Sequence, residues 1–304
     1  MGAMRIATWN VNSLKARMEH VLCWLDRAAP DILLMQETKL TDGDAPLLPF
    51  RLRGYELLHH GEGRWNGVAI ASRTPFEPES VVTNFGDGPV RNSAAGSATG
   101  LSEEDFDPFD DARMLSVVVD GVRYVTLYAP NGRLVGSAFY AGKLTWFERL
   151  GRWLADARSD ERPLLVGGDL NVAPEDADVW DAAAVHGGTH VSGPERAAFA
   201  GLLRGGLVDA YRACRPEPQR FSWWDYRAGH FHKNLGMRID HLLLSPPLAE
   251  RVVWAEIDRE ARKGKAIPSD HAPVIVDLDA PGVPLDAGWE GALERIAART
   301  TRGR

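Results

Sequence analysis

Four apolar runs in this sequence each border a cluster of carboxylate, amide or imidazole side chains. The runs predict buried β-strands, which are apolar on both faces. A packed sheet holds the side chains at its strand ends rigidly along one edge. The sequence therefore predicts an α/β fold that gathers four polar clusters, namely Trp9-Asn10-Val11-Asn12, Gln36-Glu37-Thr38-Lys39, Gly168-Asp169-Leu170-Asn171 and Ser269-Asp270-His271.

These clusters predict a site for a hard divalent cation. Carboxylate and amide oxygens suit Mg²⁺ or Mn²⁺, whereas a single histidine with no cysteine argues against zinc. Taken singly, an Asp or Asn after a strand is more often a turn former or a helix cap. Glu37 is harder to explain in this way, because burying a charge at the end of an apolar strand is costly. If the clusters converge, they bring together Glu37, Asp169, Asp270, Asn10, Asn12, Asn171 and His271.

The hydrophobic spacing predicts alternating strands and helices. Amphipathic helices are expected at Ser13–Ala28, with Ser13 as N-cap, around Trp146–Leu154 and around Glu195–Leu203. Asp120-Gly121 predicts a hairpin turn. Strands are expected at Met4–Trp9, Asp31–Gln36, Tyr55–His59, Gly67–Ser72, Met114–Val119, Val122–Tyr128, Leu164–Gly167, Ile239–Leu244 and Val274–Leu278.

No linker divides the chain, so we expect one domain at residues 4–279 and a C-terminal appendage at residues 280–304. Residues 84–111 are rich in Gly, Ser and acids, which predicts a long polar surface loop.

The composition narrows the class of protein further. A net charge of −7 argues against a protein that coats nucleic acid by bulk attraction, although a local basic rim remains compatible with a DNA enzyme. Cys23 and Cys214 form no disulfide or zinc pattern. No apolar run approaches the roughly 20 residues that span a bilayer, and no signal peptide is evident. We expect a cytoplasmic protein without a membrane partner.

Several longer segments resemble the exonuclease III family of apurinic/apyrimidinic (AP) endonucleases, within the endonuclease/exonuclease/phosphatase superfamily. The resemblance runs from Met4 to about Asp279 and implies a four-layer α/β sandwich, in which two packed mixed β-sheets are flanked by helices. The strand-end signals define only the superfamily, whereas three segments are specific to the DNA-repair branch: TWNVNSLKAR (8–17), FSWWDYR (221–227) and LGMRIDHLLLS (235–245).

The resemblance also implies roles for residues around the active site. It implies Mg²⁺ bound by Glu37, Asn10 and Asp270, with Asn12, Asp169, Asn171 and His271 as possible second-site or shell ligands. Asp169 would activate the attacking water or protonate the leaving 3′-oxygen, and these two roles stay open. The other implied catalytic residues contact or orient the phosphate, and they are Tyr128, Asn171 and His271 paired with Asp240.

A further set of residues is implied to contact DNA. Trp223, Met237 and Ile239 would line a pocket for an extruded abasic sugar, whose extrusion breaks no base pair. Aromatic clusters such as FSWWDYR are more often core, and any single basic residue is more often a solvated charge. The resemblance implies a phosphate contact at Asn131, and the basic residues Lys39, Arg113, Arg133 and Arg238 are candidate phosphate contacts because of their charge.

The resemblance implies a Mg²⁺-dependent DNA-repair phosphodiesterase, for which Mn²⁺ is a plausible substitute ion. It would cut 5′ to abasic sites, with 3′→5′ exonuclease and 3′-phosphodiesterase or phosphatase activity, on double-stranded DNA with abasic or 3′-blocked sites, as a monomer. One alternative is a phosphatase on a non-DNA ester, such as an inositol phosphate or a lipid. Another is a non-catalytic nucleic-acid-binding regulator on the same fold.

Overall fold

The computed structural model describes residues 2–86, 111–217, 220–264 and 267–285. Twelve strands in these ranges form two six-stranded sheets. The first sheet contains β1 (Met4–Asn10), β2 (Ile32–Gln36), β3 (Glu56–His60), β4 (Val68–Ser72), β11 (Val252–Ile257) and β12 (Val274–Leu278). The second contains β5 (Glu77–Thr83), β6 (Met114–Val119), β7 (Val122–Tyr128), β8 (Leu164–Asp169), β9 (Val208–Asp209) and β10 (Asp240–Leu244).

Both sheets are mixed. The first has the order β11-β12-β1-β2-β4-β3 and the second β5-β6-β7-β8-β10-β9. In each sheet one central pair is parallel, β1 with β2 and β7 with β8, and the other pairs are antiparallel. Parallel neighbours bring the carboxyl ends of their strands to the same edge, and this places the polar strand ends together.

Eight α-helices surround the two sheets in the described residues. They are α1 (Leu14–Ala28), α2 (Leu47–Arg51), α3 (Ala138–Ala157), α4 (Ala182–Val185), α5 (Gly193–Arg204), α6 (Ala210–Cys214), α7 (His230–Lys233) and α8 (Pro246–Ala249). The Ser13 hydroxyl caps α1 by accepting from the Ala16 N–H, as the sequence predicts.

Three buried apolar clusters separate four layers. The innermost joins the facing sides of the two sheets, for example Leu34 of β2 with Leu165 of β8. A second cluster lies between α1 and the first sheet, and a third lies between the second sheet and helices α3 and α5. This arrangement is the predicted four-layer sandwich, and burial of these clusters is its main stabilising contribution.

The predicted elements are present, with differences of one or two residues at most strand ends. Three strands, β5, β9 and β11, lie where no strand was predicted, and α3 begins eight residues earlier than Trp146. β5 carries Glu77 and Glu79, and β9 has only two residues, so neither presents a clear apolar run. β11 (VVWAEI) is apolar at five of its six positions, and the sequence analysis missed that run.

Part of the predicted acidic loop, residues 87–110, and residues 286–304 of the predicted appendage lie outside the described residues. Residues 280–285 contact the domain. The Arg5 guanidinium donates to the Val283 carbonyl, and the Leu285 N–H donates to Glu256. Among the described helices, none combines the length and the apolar character that a bilayer-spanning helix requires.

Candidate active site

The strand ends of both sheets supply the site. Asn10 ends β1, and Glu37 directly follows β2. Tyr128 and Asp169 end β7 and β8, and Asp240 at the start of antiparallel β10 lies opposite Asp169. The sheets are packed face to face, so these groups meet at one edge of the sandwich.

A cavity of about 160 Å³ opens between these strand ends. Most of the side chains around it are polar, and the Trp223 indole and the Ile239 side chain form its apolar part. Its lining consists of Glu37, Tyr128, Asn131, Asp169, Asn171, His190, Trp223, Ile239, Asp270 and His271.

Two carboxylates and one imidazole form the centre of this cavity. Ligand-type atoms of Glu37, Asp169 and His271 all lie within 4.8 Å of one another. The Asn10 amide donates to Glu37 Oε1 at 2.8 Å and to Asp169 Oδ2 at 2.9 Å, so it bridges the carboxylates. The backbone N–H of Asn171 donates to Asp169 Oδ1 at 2.9 Å. Such donors hold both carboxylates in fixed positions.

His271 is held by Asp240, the pairing that the resemblance implies. The His271 Nδ1 to Asp240 Oδ2 distance is 2.8 Å, and Nε2 lies 3.8 Å from Asp169 Oδ2. Burial alone would lower the pKa of His271, but the charges of Asp240 and Asp169 outweigh it and raise the pKa to about 10. The imidazole is therefore cationic at neutral pH and faces the cavity.

Asp169 carries an unusually basic carboxylate. Burial raises its pKa to about 7, with the opposing charge of His271 as the main effect in the other direction. A carboxyl group with a pKa near neutrality suits proton transfer under physiological conditions.

The donor set fits a hard divalent cation. Glu37 and Asp169 offer convergent carboxylate oxygens, which are preferred by Mg²⁺ and Mn²⁺. His271 is a poor ligand here, because a protonated imidazole has no free lone pair. The Lys39 ammonium lies 2.8 Å from Glu37 Oε2 and 2.7 Å from Asn12 Oδ1.

The other two predicted metal ligands adjoin the same cavity but make other contacts. The oxygen of Asn10 accepts from the backbone N–H of Asn12, so only its amide N–H groups face the carboxylates. Asp270 accepts from the Asn12 amide at 2.8 Å and from the Trp223 indole at 3.1 Å.

Amide and phenol donors surround the carboxylates. Asn171 donates to the Ala129 carbonyl, and its side-chain oxygen accepts from Asn131 at 3.3 Å. Burial and the charge of Glu37 raise the pKa of Tyr128 well above its usual value, which keeps the phenol protonated as a donor.

The predicted pocket for an extruded sugar is present in part. Trp223 and Ile239 both line the cavity, and the Trp223 ring lies 6.5 Å from that of His271. Met237 is not among the lining residues; its backbone pairs with that of Trp223 and its side chain packs in a small apolar cluster.

Two predicted phosphate contacts are wrong. Arg238 is 1% exposed and ion-paired with Asp178 and Asp209 at 2.7 Å, so it points into the protein. Arg113 is 7% exposed and bonds Asp111 at 2.8 Å. Burying a guanidinium requires full pairing, and neither group is free for DNA.

The remaining predicted contacts lie at or near the cavity. Lys39 is partly exposed beside Glu37. Asn131 lies exposed at the cavity wall. Arg133 is also exposed, with its guanidinium carbon 3.6 Å from the centre of the Phe139 ring.

Three residues that the sequence analysis missed belong to the site or support it. His190 lines the cavity, and Lys143 and Glu195 form a buried ion pair behind it. His190 lies in a loop, and the other two lie within amphipathic helices, where single charges are ordinary. The sequence carries no signal that separates them from surface residues.

Comparisons with known proteins agree with this architecture. The sequence profile of the endonuclease/exonuclease/phosphatase family matches residues 7–271. The chain is 31% identical to an exodeoxyribonuclease of Bacillus subtilis over 274 residues, covering 89% of this chain and 98% of the relative.

Two solved structures are also similar. One is the 3′ phosphatase NExo from Neisseria bound to a product DNA hairpin, with a TM-score of 0.80 and 35% identity. The other is an AP endonuclease from Archaeoglobus fulgidus, with a TM-score of 0.80 and 33% identity. Each similarity covers 91% of this chain and 100% of the compared chain.

Proposed function

The chain belongs to the endonuclease/exonuclease/phosphatase family and, within it, to the exonuclease III group of AP endonucleases, and we propose that it is a DNA-repair nuclease. It cuts the backbone 5′ to abasic sites, degrades DNA from 3′ ends and removes 3′-blocking phosphates. The observation that carries this proposal is the convergence of Glu37, Asp169 and cationic His271 on one cavity at the edge of both sheets.

The charges in the cavity suit hydrolysis of a phosphate ester. Attack on a phosphodiester places additional negative charge on the phosphate oxygens, and fixed donors aimed there lower the barrier. The His271 cation, the Tyr128 phenol and the Asn131 and Asn171 amides supply such donors. Asp169 exchanges a proton with the attacking water or the leaving oxygen.

Glu37 would hold the divalent cation, for which we propose Mg²⁺ with Mn²⁺ as a substitute, while Asp169 beside it stays available for proton transfer. When bound, the cation supplies Lewis-acid stabilisation of the phosphate. Asn10 orients the two carboxylates, and Asp270 accepts from the Asn12 amide and holds the Trp223 indole at the cavity wall.

We propose double-stranded DNA with abasic or 3′-blocked sites as the substrate. Trp223 and Ile239 offer apolar wall area to an extruded sugar, and Arg133 is exposed near Asn131. The protein would act as a monomer through one domain at residues 4–279. Cys23 and Cys214 are both free thiols, which supports a reducing cytoplasm as its compartment.

The test compares binding with cleavage on two duplexes, one with an abasic-site analogue and one with a 3′-phosphate. Wild-type protein with Mg²⁺ should process both, and Asp169→Asn should bind them with similar affinity while turnover falls by about 10³-fold. Tight binding without turnover by the wild type would favour a non-catalytic regulator. Absence of binding, together with release of phosphate from inositol phosphates, would favour a non-DNA phosphatase.

A further inference from the structure

A buried ion pair lies directly behind the amide side of the cavity. Lys143 of α3 and Glu195 of α5 have fully buried side chains, and Nζ lies 2.5 Å from Oε1. Isolated from water, such a pair is weak evidence for stability, because the cost of desolvating both charges offsets their attraction. Its position relative to the cavity suggests another role.

The lysine holds two cavity residues through their backbones. Its ammonium donates to the carbonyl oxygens of Asn171 at 2.7 Å and of Asn131 at 3.3 Å. The side chains of the same two residues bond each other on the cavity side. The buried Lys143 ammonium therefore fixes the separation of Asn131 and Asn171.

The glutamate holds a third cavity residue. Oε1 accepts from the backbone N–H of His190 at 3.0 Å and from the hydroxyl of Thr189 at 3.0 Å. The His190 ring in turn places Nδ1 2.7 Å from the Asn171 carbonyl. The Thr189 hydroxyl also lies 3.1 Å from the Asn131 carbonyl oxygen, so its single proton is shared between that carbonyl and Glu195 Oε1.

We propose that Lys143 and Glu195 are positioning residues that act through Asn131, Asn171 and His190 to set the phosphate-facing wall of the cavity. The inference rests on the proposed function, because its effect is measured on turnover. Neither side chain touches the cavity itself. Misplacing reacting groups by about 1 Å can cost about 10²-fold in rate, so a large effect on kcat is expected from groups outside the reaction.

The test uses Lys143→Met, Glu195→Gln and the double variant on a 3′-phosphorylated duplex with Mg²⁺. Each single variant leaves one buried charge without its opposite charge and should unfold at lower temperature. The double variant removes both charges at similar volume, so its melting temperature should return towards that of wild type. Because the thioether that replaces the ammonium donates no hydrogen bond, we expect kcat to stay about 10- to 100-fold low, with KM changed by less than about threefold.

Recovery of kcat together with stability in the double variant would overturn the proposal, since the pair would then serve folding alone. The paired change Arg5→Met with Asp277→Asn neutralises a buried ion pair away from the cavity and should leave kcat unchanged. A loss of kcat there as large as in the Lys143 and Glu195 double variant would also count against the proposal.

Thr189→Val gives a second answer if the double variant does not fold. It is nearly isosteric and removes only the hydroxyl that links Asn131 to Glu195, so the fold should persist while kcat falls by about three- to tenfold. An unchanged kcat would refute the positioning role. Inactive wild-type protein on both DNA duplexes would instead defeat the proposed function, and this inference with it.

Discussion

At the scale of single residues, several residues at or beside the site have a strained backbone. Asn12, Glu37, Lys39, Asn171 and His190 all have positive φ, between 43° and 74°. Such conformations cost on the order of 1–3 kcal/mol each in residues other than glycine, and they persist only where neighbouring contacts enforce them. At Glu37 the carbonyl accepts from the Ser13 N–H at 2.7 Å, which fixes the turn. Part of the free energy of folding therefore holds these residues in the strained conformations that orient their side chains.

Asp240→Asn should shift the pH dependence of turnover. In the wild type the raised pKa of His271, about 10, keeps the imidazole charged through neutral and mildly alkaline pH. Without the Asp240 charge, burial is opposed by Asp169 and Asp270 alone and the pKa of His271 falls, so activity should decline as pH rises through the neutral range. We expect a loss of about 10²-fold at pH 8 and a smaller loss at pH 6, measured as kcat. An unchanged pH–rate profile would show that the pair does not control the charge.

Lys39→Met should strengthen metal binding in the absence of DNA. The Lys39 ammonium is 2.8 Å from Glu37 Oε2 and repels a cation bound there. Its removal should raise Mn²⁺ affinity by about tenfold, or about 1.4 kcal/mol, as measured by electron paramagnetic resonance of free Mn²⁺. Lys15→Met, at an exposed position of α1, should leave the affinity unchanged. Equal or weaker binding by Lys39→Met would contradict this competition.

At the scale of elements, strand β8 determines how closely the two central strands of the second sheet approach. A Cβ at Gly168 would lie 1.9 Å from the Leu127 carbonyl oxygen of β7. Gly168 is also the residue before Asp169, so the close approach sets the position of the carboxylate. The GDLN pattern at the end of a buried strand made this site predictable, because strand ends need only local sequence to be recognised.

Gly168→Ala should destabilise the protein by more than about 3 kcal/mol, because backbone atoms must move to admit the methyl group. Gly151→Ala in α3 is the matched control, since a Cβ there has no neighbour within 4 Å. It should be neutral or stabilising by about 0.5–1 kcal/mol. Urea unfolding measures both, and equal midpoints for the two variants would contradict the packing argument.

Other elements could not be predicted in this way. Arg238 lies between Met237 and Ile239 in a segment that faces the cavity, yet its side chain turns inward to Asp178. That orientation depends on a partner 60 residues away, which no local pattern encodes. The same holds for Lys143, whose partners are contributed by three separate segments.

At the scale of the whole molecule, the site exists only where the two sheets meet. Glu37 and His271 belong to the first sheet's edge, and Asp169 and Asp240 to the second's. Beneath them, the Gln36 amide donates across the interface to the Thr126 hydroxyl at 2.9 Å. Hydrophobic periodicity predicted most of the strands. Their division into two packed sheets was implied only by the family resemblance, because a short stretch of sequence does not show which distant strands pair.

The most direct test of the central claim is cleavage of a duplex with one abasic-site analogue by wild-type protein and Glu37→Ala, each with Mg²⁺ or EDTA. Incision 5′ to the lesion should require Mg²⁺ and should fall by at least about 10²-fold in Glu37→Ala. Undiminished incision in EDTA, or by Glu37→Ala with Mg²⁺, would contradict a metal-dependent nuclease centred on Glu37.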